Sequence, residues 1–174
     1  MKRMRSLIIS FISFISFIIF ISSCSFSYSF QGGKLNYDLV KTITIQNFPN
    51  RASNPDPLVA PIFEQALRDR FIEQTRLKPV ANNGDIEIEG EITGFDIQGM
   101  AVKEDSYASQ ARLTISIHVK YTNNKEANSD VDQTFSAFSE YPVDRQFNEV
   151  ENQLITDIVA EIVDKIYNET VGNW

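Results

Sequence analysis

The sequence is short of the residue types on which most site chemistry depends. Its 174 residues include one cysteine and one histidine. A single cysteine excludes an internal disulfide framework and any zinc site built from several thiolates. A single histidine leaves no pair for a His-ligated metal and little scope for His-dependent nucleophilic catalysis. Basic residues are also in deficit, with 16 Lys and Arg against 23 Asp and Glu and a net charge of -7. That balance excludes nucleic acid as the main partner, because binding polyphosphate requires a basic face that displaces counterions. There is no Gly-x-Ser-x-Gly elbow. Gly32-Gly33-Lys34 resembles the end of a phosphate loop, but the upstream glycine is missing and no helical pattern follows. No catalytic residue, metal ligand or cofactor is expected, and the chain reads as a non-enzyme.

What is present begins at the N-terminus. Lys2, Arg3 and Arg5 precede a 15-residue apolar run from Leu7 to Ile21, broken only by Ser10, Ser13 and Ser16. A bilayer span needs ~20 residues, so the run suits the h-region of a signal peptide. It ends in Ile21-Ser22-Ser23-Cys24, the lipobox pattern of bacterial lipoproteins. The small residues admit the segment to a peptidase cleft, and the Cys24 thiol carries the diacylglycerol. The competing reading is an uncleaved anchor with a chance cysteine. The expected organisation is a signal peptide over 1–23, a lipidated N-terminus and tether over 24–38, and one α+β domain over 39–174. Removing residues 1–23 takes away three of the basic residues and none of the acidic ones, leaving 13 against 23, a net of -10. Two acyl chains hold a protein stably on a membrane where one does not. Ser25-Phe26-Ser27-Tyr28 contains no acidic residue, so no surface-export signal of the acidic type follows the anchor and the periplasmic face is expected.

Periodicity sets the expected elements. Val40, Ile43 and Ile45 suggest a first strand, and Asn47 to Pro57, with Pro49, Pro55 and Pro57, reads as a loop. Asp56-Pro57 resembles an N-cap followed by proline at the first helical position. Ala60, Phe63, Leu67 and Phe71 then make one helical stripe, with Pro61 either distorting the first turn or moving the start later. Asp85-Ile86-Glu87-Ile88-Glu89 alternates strictly, Ile92 continues the phase, and Phe95 and Ile97 reverse it, which predicts a bulge near Gly94. Leu113 to Tyr121 alternates on the odd positions, and Asp132 to Tyr141 more weakly. Leu154-Ile155, Ile158-Val159, Ile162-Val163 and Ile166-Tyr167 place apolar pairs every four residues, the wide stripe of a helix lying on a sheet. The expected fold is α+β, with two helices on one face of a four-stranded, mostly antiparallel sheet in the order β-α-β-β-β-α.

Two polar groups have competing readings. Glu87, Glu89 and Glu91 share a strand face, either as a carboxylate site or as an ordinary solvated face. Pairing the two central strands is expected to set Lys120 near Glu87 and His118 near Glu89, where opposite charges stabilise modestly. His118 then reads as a cross-strand neighbour rather than a catalyst.

The residues also resemble a family. The lipobox, Tyr28-Ser29-Phe30 with Gly32, Val40-Lys41-Thr42-Ile43-Thr44-Ile45, Phe48-Pro49-Asn50-Arg51-Ala52, Ala66-Leu67-Arg68-Asp69-Arg70-Phe71, Glu89-Gly90-Glu91-Ile92-Thr93-Gly94-Phe95, Arg112-Leu113-Thr114-Ile115, Tyr121-Thr122-Asn123-Asn124-Lys125 and Asn173-Trp174 are similar to the Bacteroidota branch of LptE, the lipopolysaccharide-assembly lipoproteins. The resemblance implies an α+β domain anchored in the outer membrane and facing the periplasm. It implies a large β-barrel partner, LptD, which the domain partly plugs, and a role in assembling the pore that inserts lipopolysaccharide in the outer membrane. LptE proteins of other phyla bind lipopolysaccharide, which makes it a candidate ligand. An auxiliary lipoprotein of a lipid-transport ABC system is the alternative. The expected partner contact is Phe48, Pro49, Asn50 and Arg51, since loops carry binding more often than framework does. The other reading of Phe48 is that it closes the end of the core.

Cys24→Ala is expected to abolish acylation and leave the precursor unprocessed, because lipoprotein cleavage depends on the modified thiol. Metabolic labelling with a palmitate analogue checks this, and label persisting in the variant would refute the lipobox reading.

Overall fold

Alternation on two neighbouring strands organises the molecule. The computed structural model describes residues 35–100, 109–126 and 129–172. Its elements are β1 (Thr42–Ile45), α1 (Val59–Gln74), β2 (Lys78–Pro79), β3 (Ile86–Gly99), β4 (Gln110–Asn123), β5 (Val131–Pro142) and α2 (Phe147–Thr170). Ile86, Ile88 and Ile92 of β3 and Leu113, Ile115, Ile117, Val119 and Tyr121 of β4 all turn to one side and are fully buried. Their polar alternates face the other way. α1 lays Val59, Phe63, Leu67 and Phe71 on that apolar side, and α2 adds Leu154, Ile155, Ile158, Val159, Ile162, Val163 and Ile166. One continuous core results, between the helices and one face of the sheet.

The α+β class, the two helices and the antiparallel β3–β4–β5 meander agree with the periodicities, and the register shifts between Ile92 and Gly94 where the phase reverses. The sheet has five strands rather than four, in the order β2-β1-β3-β4-β5. The additional strand is the dipeptide Lys78-Pro79, parallel to β1. Two residues carry no period, and proline is confined to positions such as this edge, where its missing N–H is not needed. β1 also runs parallel to β3, so β1, α1 and β3 form a crossover unit.

Register differs from expectation by two residues. Lys120 lies opposite Glu89, and His118 opposite Glu91. The hydrophobic pattern specifies parity, since a one-residue slip would expose every aliphatic, but it is indifferent to a two-residue slip. The helix also starts later than Asp56-Pro57 suggests. Asp56 Oδ1 accepts a hydrogen bond from the Leu58 amide at 2.8 Å, which closes a turn before Val59. Pro61 falls in the first turn, where N–H groups have no intrahelical partner anyway.

Two polar contacts hold the margins. Asp85 sits where β1, β3 and the β4–β5 connection meet. Its Oδ2 accepts hydrogen bonds from the Lys41 amide at 2.9 Å, the Thr42 amide at 3.0 Å and the Thr42 hydroxyl at 2.9 Å, while Oδ1 pairs with Lys125 at 3.2 Å. On the far side, β5 is an edge strand. Lys165 of α2 reaches over it and donates to the Ser136 carbonyl at 2.8 Å.

The Asp85 contacts generate a pH prediction. The Lys41 amide above all, then Thr42 and Lys125, hold its carboxyl down to about 2 against an ordinary 3.8, while desolvation opposes them. A depressed folded pKa contributes stability that is present above 3.8 and lost as pH falls through about 2. The contribution at neutral pH is about 2 kcal/mol. In urea denaturation, the advantage of the wild type over Asp85→Asn is expected to shrink between these two pH values. A difference independent of pH would refute the assignment.

Candidate partner-contact site

The segment from Phe48 to Arg51 is the end of β1 carried onward beside β3. After Ile45 the chain loses strand pairing, but the Gln46 amide still donates to the Ile88 carbonyl at 2.9 Å. Further on, the Ile92 amide donates to the Pro49 carbonyl at 3.0 Å, and the Arg51 amide to the Ile92 carbonyl at 2.8 Å. Asn50 shapes the turn that follows. Its Oδ1 accepts from the Ala52 amide at 3.1 Å, and its Nδ2 donates to the Asp56 carbonyl at 2.9 Å. All four expected contact residues therefore come together against the middle of β3.

They do not present alike. Phe48 is 1% exposed and meets Phe63 of α1 edge-on, with ring centroids 4.9 Å apart. The Glu64 carboxylate accepts a hydrogen bond from the Phe48 amide at 2.7 Å, fixing the chain over the helix. The space for the ring comes from Gly90, which holds the inward phase between Ile88 and Ile92. A Cβ at that position would lie 2.7 Å from the Phe48 ring and would run into the His118 carbonyl oxygen. Pro49 and Arg51 are exposed and Asn50 half-buried, so the segment offers Pro49 and Arg51 to solvent while Phe48 anchors it. Glu64 and Gly90 were not among the expected site residues. The signal for Gly90 was available, since a glycine interrupts an otherwise aliphatic phase at a point where another group must approach.

The outward face beside the segment is a shallow depression of about 410 Å³, lined by Gln46, Asn47, Glu89, Gly90, Glu91, His118 and Lys120. Its charges are compensated. Lys120 Nζ lies 2.8 Å from Glu89 Oε1, and that hydrogen bond is the main reason its pKa rises. His118 Nε2 is 3.1 Å from Asp132 Oδ1 on β5, and Arg51 is 4.0 Å from Glu91 across solvent. Glu89 and Glu91 are therefore each paired with a cation, as expected for a solvated strand face. Among the described residues no group of three or more His, Cys, Asp or Glu is placed to hold a metal ion. At the far end of the loop, Glu151 of α2 shares a hydrogen bond with Asp56, which raises its pKa. Cys24, Gly32-Gly33-Lys34 and Asn173-Trp174 lie outside the described residues. Among the described residues no helix is long and apolar enough to cross a membrane.

The family model described as LptE, lipopolysaccharide-assembly, matches residues 40–170. No match is found among the curated proteins. Among solved structures, a minor lipoprotein from Acinetobacter baumannii is similar at 11% identity and a TM-score of 0.49, covering 75% of this chain and 90% of that one. The rare lipoprotein B from Shewanella oneidensis is similar at 8% identity and a TM-score of 0.46, covering 72% and 91%. A hypothetical protein from Chlamydia trachomatis is similar at 10% identity and a TM-score of 0.49, covering 75% and 98%.

The different exposures in the segment separate two variants. Phe48→Ala is expected to destabilise the domain by about 3–5 kcal/mol, the usual cost of emptying an aromatic site. Gly90→Ala is expected to cost about 1–3 kcal/mol by overpacking the same place. Arg51→Glu should leave the melting temperature unchanged, because an exposed pair at this distance contributes little. Thermal and urea denaturation check all three, and a stable Phe48→Ala would refute the packing described.

Proposed function

We propose, from the premise that the chain belongs to the LptE lipopolysaccharide-assembly family, that it is the lipoprotein partner and partial plug of an LptD-type β-barrel in the outer membrane. The family is one of non-enzymatic lipopolysaccharide-assembly lipoproteins of the cell envelope, and this chain has its role in lipopolysaccharide assembly. The observation that carries the finer reading is the extent of the match. Residues 40–170 span every strand and helix among the described residues, from before β1 to the last residue of α2.

The mechanism proposed is one of assembly rather than turnover. Acylated Cys24 holds the domain at the periplasmic face of the outer membrane, and the tether lets it enter the barrel from that side. The rigid core then supports the barrel wall through protein–protein contact. The segment Phe48 to Arg51 takes part with Phe48 as its buried fastening and Pro49 to Arg51 as its surface. The acidic balance of the mature chain, 23 carboxylates against 13 Lys and Arg, supports a protein partner over direct capture of an anionic glycolipid, which would be repelled.

Depletion tests the proposal. Loss of the chain is expected to lower the amount of correctly assembled barrel, impair lipopolysaccharide delivery and raise outer-membrane permeability to large antibiotics. Affinity capture after gentle detergent extraction is expected to recover the barrel, and Arg51→Glu to recover less of it at unchanged melting temperature. Depletion that alters neither barrel nor permeability, or capture of an ABC-type shuttle complex in its place, would overturn the proposal.

A further inference from the structure

The face of the sheet turned away from the helices carries a side chain that the core does not explain. Along β5, Phe135, Ala137 and Tyr141 point inward and are buried, while Phe138 points outward and is 51% exposed. It stands in the middle of a polar surface, opposite Thr114 of β4. Its neighbours hold it in place. The Arg112 guanidinium lies over the ring, 4.1 Å from its centroid. Arg112 Nε and Nη2 in turn donate to Glu140 Oε1 at 3.1 and 2.6 Å. An exposed aromatic stacked with an arginine that is itself fixed by a carboxylate is an arrangement with little side-chain freedom left to lose. Aromatic residues and arginine are also the types that dominate interface energetics.

The ground around the ring is level. The Ser116 and Ser136 hydroxyls meet at 2.8 Å, and Gly94 of β3 lies opposite Ser116, so no long side chain stands next to the ring on that side. Along β4, twelve residues from Gln110 to Tyr121 are paired with β5 and thirteen from Ala111 to Asn123 with β3. Three strands of that length project about 600 Å², from ~3.4 Å per residue and ~4.8 Å between strands. That is the scale of one side of a specific protein interface, ~800 Å².

Charge decides the occupant. The outward positions carry six carboxylates, four on β3 from Glu87 to Asp96 and two on β5 at Asp132 and Glu140, against Lys120, Arg112 and, beside Glu91, Arg51. A second copy of the chain would set two faces of the same sign against each other, and an anionic lipid surface would do the same. We infer that this face, centred on Phe138 and Arg112, docks a protein partner whose surface is basic around an apolar recess. The inference deepens the barrel-partner reading and rests on it for the identity of the probe.

The experiment uses the full chain in cells, with a photo-crosslinking p-benzoylphenylalanine at position 138, or at position 157 on the solvent side of α2 as a control. A crosslink to the barrel is expected from 138 and not from 157. Phe138→Ala is expected to reduce barrel recovery about tenfold at an unchanged melting temperature, with Phe138→Tyr retaining it. If wild type recovers the barrel but the crosslink forms only from 157, or Phe138→Ala recovers it in full, the docking face is refuted while the partnership stands. If wild type recovers no barrel, both fail. Binding of wild type but not Phe138→Ala to phosphatidylglycerol vesicles would also overturn the inference, by making the face a lipid contact.

Discussion

Among the described residues the sheet is covered by helices on one side only, and that asymmetry is the constraint on which the other features depend. Each of β3, β4 and β5 must keep its core residues on a single face, so parity is specified along each strand. Where β3 gains a residue between Ile92 and Gly94, the apolar positions change from even to odd numbers and the face is preserved. The same constraint leaves the opposite surface largely polar, with Phe138 standing on it. Everything the protein offers through that surface is therefore made of strand side chains in a fixed two-residue spacing, backed by a packed core, and is correspondingly rigid.

Much of this architecture was legible in the residues because it is written in local periods. Strict alternation from Ile86, its reversal after Gly94, and the apolar pairs from Leu154 to Ile166 each correspond to an observed element. What was not legible is non-local. Lys78-Pro79 is too short to show a period, and its strand pairing depends on where β1 has come to rest. The parallel direction of β1 against β3 follows from the crossover through α1, not from any residue within β1. Cross-strand partners were misplaced by two residues because apolar burial is equally satisfied by either register. The polar contacts then distinguish them, with Lys120 meeting Glu89 rather than Glu87.

The candidate site was legible to a smaller degree. The loop containing Phe48 announces itself through prolines and asparagines, yet whether Phe48 faces solvent or core depends on an absence elsewhere, at Gly90. A missing side chain leaves no signal of what fills its place. Phe138 has the converse difficulty. Phe135 and Phe138 are identical residues three apart on one strand, and only the strand's phase relative to α2 determines which is buried.

The contact from Lys165 to the Ser136 carbonyl has a consequence for how the chain behaves in company. β5 is twelve residues long and, among the described residues, has no strand beyond it, so its outward backbone groups form a template on which another extended chain can add. An ammonium occupying one of those carbonyls near the centre of the edge interrupts the template. A strand arriving there must displace a hydrogen bond and accommodate a charge before its own ladder can continue. Accidental recruitment of another extended chain is thereby opposed at the middle of the edge.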